Sequence, residues 1–203
     1  SSKRMSLDRS RISVVPATEV IGMDEKPLQA IRRKRDSSLV VSIALHAQGK
    51  GDAVVSAGNT GAVLAGATVM LGLHEGVEWV TVATVFLAPD GFVLVFDAGA
   101  NVDCSARELA SFGRLGSVYA RDIFGRPRPN VGLLNIGEED DKGNAVVREA
   151  QLLLKADQYI HFVGNIEGQD VVVPHPEHGR IDVVVCDGFV GNIVLKFYES
   201  MGK

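Results

Sequence analysis

Four short segments carry most of the polar chemistry of this chain: Ser56-Ala-Gly-Asn-Thr-Gly61, Asp97-Ala-Gly-Ala-Asn101, Asn135-Ile-Gly-Glu-Glu-Asp-Asp-Lys-Gly143 and Asp187-Gly-Phe-Val-Gly-Asn192. Each follows a run of aliphatic residues and precedes a helix-like pattern. They offer carboxamides and, through their glycines, bare backbone N–H groups, but few groups that titrate. Neutral donors joined by one cation suit an anion the size of phosphate. Lys142 supplies the cation. A lysine in a glycine-bounded loop just before a helix neutralises an oxyanion at close quarters, and the four acids from Glu138 to Asp141 are expected to keep it protonated and to position it. Asn192 is expected at the start of the last helix, either as an oxyanion stabiliser or simply as its N-cap. Thr60 is expected to cap the helix after the first loop, although any strand-to-helix junction asks for such glycines and caps. Asp97 is read mainly as an acceptor for neighbouring loops, and Asp103 as a helix cap or a chemical group. The substrate-binding positions read from the four loops are Ser56, Gly58, Asn59, Thr60, Gly61, Asp97, Asn101, Asn135, Gly137, Glu138, Asp187 and Gly188.

The elements that would hold these loops follow from hydrophobic periodicity and punctuation. Residues 1–10 read as a loop or a cut end, and 12–15 as a strand. A short helix begins with proline at Pro27, and a second, capped by Ser37 or Ser38, runs towards Gly49. Strands are expected at 53–55, 80–86, 92–96, 131–134, 159–163 and 181–185. Helices are expected at 60–71, 107–124, 145–155 and from about Asn192. Pro89-Asp-Gly91 marks a turn that would make 80–86 and 92–96 antiparallel neighbours. Strands apolar on both faces and separated by helices indicate a mostly parallel α/β sheet covered on both sides. In such a sheet, ligands bind beyond the carboxyl ends of the strands, where the four loops would meet.

With 203 residues, 46% of them hydrophobic, the chain is long enough for one sizeable core, and a single α/β domain over 1–203 is the expectation. The apolar stretch 62–73 is too short to cross a bilayer, and no signal peptide is evident. Two isolated cysteines are no disulfide framework and suit a reducing cytoplasm. Net charge is −4, but residues 1–35 hold nine Lys/Arg against four Asp/Glu. Arg32, Arg33, Lys34 and Arg35 are either a solvated face or a docking patch for an acidic macromolecule. Nucleic acid is disfavoured, because the run is short, lacks aromatics and sits on an acidic protein. No metal is expected: the proline in His175-Pro-Glu-His178 breaks helical ligand spacing, and no third ligand is evident. Cys186 reads as a buried small hydrophobe. No Walker, dinucleotide or Gly-x-Ser-x-Gly motif is present.

Taken together, Pro27-Leu-Gln-Ala-Ile-Arg-Arg-Lys-Arg-Asp-Ser-Ser38, the segments 56–62, 97–103, 133–144 and 186–196, and Gly164-Asn-Ile-Glu167 resemble the PlsX family, the phosphate acyltransferases of bacterial phospholipid synthesis. The resemblance implies transfer of a fatty acyl group from acyl carrier protein to inorganic phosphate, with no cofactor. It implies a three-layer fold like that of phosphotransacetylase and isopropylmalate dehydrogenase, and a cytoplasmic homodimer that visits the membrane surface. It implies Lys142 and Asn192 as the catalytic pair, with Arg32 to Arg35 facing the acidic carrier. The family's opening Asp-x-Met-Gly-Gly-Asp loop and its later amphipathic helices and His-Gly segment are missing, so the chain reads as an internal portion of a longer protein. The proline-rich stretch 171–180 is longer than the family pattern. Phosphate is already an anion and a thioester already has a good leaving group, so placement and charge stabilisation suffice for this reaction. Two rivals remain: a phosphate acetyl- or butyryltransferase using a coenzyme A thioester, and a non-catalytic remnant of the fold.

Overall fold

The computed structural model describes residues 9–89 and 91–201. Residues 1–8, read above as a loop, and Asp90 of the expected turn lie outside the described residues. The chain divides into two compact units, Ser1–Gly72 and Leu73–Lys203.

Helices dominate the first unit. Helix α1 (Pro27–Arg33) starts on its proline, whose missing N–H would have had no intrahelical partner. Helix α2 (Ser38–Ala47) is capped by Ser37, whose hydroxyl accepts from the Val40 N–H. Helix α3 (Thr60–Leu71) begins where expected, but its cap is Asn59, not Thr60: the Asn59 Oδ1 accepts from Ala62 N at 3.0 Å. Ile21, Ile31, Leu39, Val40, Ile43 and Ala62 make the core of this unit. The strands expected at 12–15 and 53–55 are absent: both segments lack regular structure, and Val14 and Val55 are 88% and 96% exposed. Their β-branched residues have no partner strand, and strand propensity alone does not make a strand.

The second unit is built on one sheet. In chain order its elements are β1 (Ala83–Ala88), β2 (Gly91–Phe96), α4 (Ala106–Phe124), β3 (Asn130–Leu134), α5 (Ala145–Ala156), β4 (His161–Ile166), β5 (Val183–Val185) and α6 (Gly188–Ser200). The spatial order is β1-β2-β5-β3-β4. Strands β2, β5, β3 and β4 are parallel, and β1 is an antiparallel edge paired with β2, as expected. Alternate residues face opposite layers. Leu94, Phe96, Val131, Leu133, Val183 and Val185 pack against α4 and α5, including Leu109, Phe112 and Leu154. Val93, Val95 and Val184 face the other way, towards Val190, Val194 and Tyr198 of α6. This is the covered, mostly parallel α/β sheet expected from the sequence. All three β5 valines have no exposed surface, and each such side chain contributes roughly 1.5–3 kcal/mol on burial.

Candidate functional site

Three of the four polar loops leave the carboxyl ends of β2, β5 and β3, which lie side by side. Phe96 pairs with Val185 and Val185 with Leu133, so the loops start level with one another. The bonds Asp97 N–H to the Cys186 carbonyl (2.9 Å) and Cys186 N–H to the Phe96 carbonyl (2.7 Å) extend the ladder to the loop bases. The Ser56 loop belongs to the first unit and follows irregular chain instead of a strand.

In the Asp97 loop, the fully buried carboxylate of Asp97 accepts the N–H groups of Gly99, Ala100 and Asn101 at 2.8 to 2.9 Å, and the Asn101 carboxamide at 2.6 Å. The loop is wound around this charge. The Asn101 carboxamide also donates to the Val80 carbonyl at 2.8 Å. Asp103 caps nothing; Ser105 caps α4, in a reciprocal capping box with Glu108.

Helix α6 docks on this loop through two glycines. The Gly188 N–H donates to the Asn101 carbonyl at 2.8 Å. A Cβ on Gly191 would lie 1.8 Å from the Asp97 carbonyl oxygen, a contact that no side chain permits. The helix therefore starts at Gly188, capped by the Asp187 carboxylate accepting from Val190 N at 2.8 Å. This corrects the expectation for Asn192, which sits a full turn inside the helix and is not its cap. Its side chain is exposed and lies over Gly99, and its carboxamide has no hydrogen-bond partner among the described residues.

The Lys142 loop is braced at its margins. Asn135 donates to the Lys142 carbonyl at 3.2 Å and accepts from Ile136 N at 2.8 Å. Gly143, at φ +86°, folds against the Asn135 carboxamide, leaving no room for a side chain. Asn165 of β4 donates to the Glu139 carbonyl at 3.0 Å. Asp140 accepts from Gln151 and Lys155 of α5, and Lys155 is the first cause of its lowered pKa. Glu138 faces His175 Nε2 at 3.4 Å. None of the four acids pairs with Lys142, contrary to expectation. Its stem crosses buried Gly137, and its ammonium has no partner among the described residues. Helix α5 opens behind it, capped by neutral Asn144. The two helix ends thus differ: a carboxylate already fills that of α6, whereas that of α5 keeps its partial positive charge for an anion.

Between these loops lies a cavity of 190 Å³. It is lined by Asn135, Gly143, Asn144 and Asp187, by buried Leu109, Leu133 and Cys186, and by half-buried Leu134, Val147 and Val190. Neither Lys142 nor Asn192 is among the lining residues, although Gly143 adjoins the one and Val190 lies two residues from the other in sequence. A larger hollow of 390 Å³ lies elsewhere, between residues 76–79 and α4 and α5, where Arg114 is already paired with Asp157. Burial above all, then the Asp187 and Asp97 carboxylates, raises the Cys186 thiol well above the ordinary range, and burial pushes Cys104 up to about 12. Neither is a thiolate near neutral pH.

Sequence reasoning assigned no role to Asn165 or Asp170 and set His175 aside for want of further ligands. Oxygen and nitrogen atoms of Glu138, Asp170 and His175 lie within 4.8 Å of one another, in the manner of a metal ligand set. However, His175 Nδ1 accepts the N–H groups of Glu177 and His178 at 3.2 and 3.3 Å. The ring proton is thereby directed to Nε2 and towards Glu138, whereas a metal would need that nitrogen's lone pair.

In the first unit, Asn59 spends its carboxamide on the carbonyls of Gly22 and Met23 as well as on its cap. Ser56, Gly58 and Asn59 line a 330 Å³ hollow beside Ser38 at the start of α2. Thr60 is exposed, and Gly61 packs against Pro27. Arg32, Arg33 and Arg35 are exposed, but Lys34 is an internal pin: its ammonium donates to Glu25 at 2.5 Å and to the Val20 carbonyl at 2.6 Å.

The family described as "Fatty acid synthesis protein" matches residues 2–203. The chain belongs to this family. It is 47% identical over 196 residues to the phosphate acyltransferase of Nostoc punctiforme, covering 96% of this chain and 56% of that protein. It is 46% identical over 200 residues to that of Syntrophomonas wolfei, covering 98% and 61%. The chain thus spans a little over half the length of these curated relatives. Among solved structures, the EutD phosphotransacetylase from Staphylococcus aureus superposes with a TM-score of 0.65 at 20% identity, covering 97% of this chain and 68% of that one. A branched-chain phosphotransacylase from Enterococcus faecalis gives 0.54 at 20% identity, covering 79% and 62%. The resemblance drawn from the motifs is borne out, as is the phosphotransacetylase-like fold.

Proposed function

We propose that the protein carrying this chain transfers a fatty acyl group from acyl carrier protein to inorganic phosphate. A phosphate oxygen attacks the thioester carbonyl, the tetrahedral intermediate collapses with loss of the carrier thiolate, and an acyl phosphate leaves. No nucleophilic side chain or cofactor is required. Lys142 offsets the phosphate charge, aided by the amino end of α5, and Asn192 donates to the tetrahedral oxyanion. Asn135, Gly137 and Glu138 shape the loop that presents Lys142, while Asp97, Asn101, Asp187 and Gly188 fix the base on which Asn192 stands. Ser56, Gly58, Thr60 and Gly61 are the anion-binding positions of the first unit. Arg32, Arg33 and Arg35 receive the acidic carrier protein. The enzyme works as a homodimer in the cytoplasm and touches the inner membrane surface.

The observation that carries this reading is the Lys142 ammonium, which has no partner among the described residues, at a strand end whose loop margins are braced. The names of the relatives support the same chemistry. In the full-length protein, Lys142→Ala should lower acyl phosphate formation by roughly 10²–10³-fold while leaving the unfolding midpoint unchanged. Turnover within a few fold of the parent would overturn the assignment. Faster turnover with coenzyme A thioesters than with acyl carrier protein would favour the rival donor.

A further inference from the structure

The 190 Å³ cavity between the Lys142 loop and α6 is divided by chemistry. Leu109 and Leu133 at its base are buried, and Leu134, Val147 and Val190 form half-buried walls. Ile136 stands 83% exposed at its mouth. Its polar lining is confined to Asn135, Gly143, Asn144 and Asp187. One of them, Asp187, is already engaged in capping α6, and the amino end of α5 opens beside another, Asn144. A wholly polar ligand would leave its donors and acceptors unpaired against the aliphatic floor, and a nucleotide exceeds the space. What fits is a molecule with a polar head and a hydrocarbon tail.

We infer that this cavity is an acyl-chain subsite, which receives the carbons next to the reacting carbonyl while the carbonyl itself stays at the rim. The inference deepens the proposed function and rests on it. The hollow is small compared with ordinary ligand pockets, so it encloses a short alkyl segment, and longer chains emerge past Ile136. Val147 and Val190 then set where the enclosed segment ends.

Straight-chain carboxylates from acetate to dodecanoate, titrated calorimetrically into the full-length protein, test this directly. Affinity should rise about fourfold for each added methylene up to the length that the cavity holds, and flatten beyond it. Val147→Phe should move that break to shorter acids and Val147→Ala to longer ones; the alanine variant answers the question if the phenylalanine variant does not fold. Absence of binding, affinity independent of chain length, or a break that neither variant moves would overturn the subsite. The parent reading fails separately: if the break moves as expected but Lys142→Ala keeps its acyl phosphate turnover, the cavity takes alkyl chains and the mechanism is wrong.

Discussion

The Asp97–Asn101 and Asn135–Gly143 loops both begin where a parallel strand ends, on either side of β5, yet they use charge in opposite ways. In the first, a buried carboxylate is consumed by the loop's own backbone and by one carboxamide, so the charge is scaffolding. In the second, the acids are exposed, two of them are tied to His175 and α5, and the cation has no partner among the described residues. A saturated charge builds a platform, and an unsaturated one on a braced loop remains available to a ligand. The contrast separates Asp97, whose charge is spent inside its own loop, from Lys142, whose charge has no partner among the described residues.

The comparison makes graded predictions. Replacing Asp97 by alanine takes the acceptor from three backbone N–H groups and one carboxamide of a part-buried loop. It should cost about 4 kcal/mol in urea unfolding, and a loss below about 1 kcal/mol would mean that the loop does not depend on its carboxylate. Asn135→Ala removes only a peripheral brace. A loss of about 1 kcal/mol is expected, together with a roughly tenfold rise in the phosphate KM as Lys142 loosens; unchanged kinetics would show that the brace does not position the lysine. The smallest effect lies in the first unit, where the Lys34 hydrogen bond, and next the Gly22 N–H, hold Glu25 below its ordinary value of 4.5. A lowered folded-state pKa confers stability that is present above 4.5 and lost as pH falls through the lowered value. Amide protection in α1 and α2 should therefore weaken slightly with acidification below about 4.5, and Glu25→Gln should flatten that limb. An identical acid limb in the variant would remove Glu25 from the account.

Much of this was legible in the chain. Helix α3 was placed correctly because asparagine and glycine punctuate it, and β2, β3 and α5 because aliphatic runs and caps agree. The reading failed where local pattern needs a distant partner. The valines at 14, 15, 54 and 55 look like strand but pair with nothing. The start of α6 was misplaced because glycine at 188 and 191 is a poor helix former; its presence is explained only by the Asp97 loop pressing on the helix. The acids beside Lys142 were expected to pair with it because they adjoin it in sequence, whereas their partners come from α5 and the 171–180 segment. Asn165 and His175 act through the loop margins and carry no local signature of doing so.

The order in which the strands are synthesised has a consequence of its own. Strand β5 is the wedge between β2 and β3, and both are translated long before it. Until it arrives, Asp97 and Asn135 flank an empty groove with unpaired edges, and a ribosome-bound intermediate would display two aggregation-prone ladders. Chaperone demand should accordingly peak before β5 has left the ribosome and subside once the valine triplet is seated.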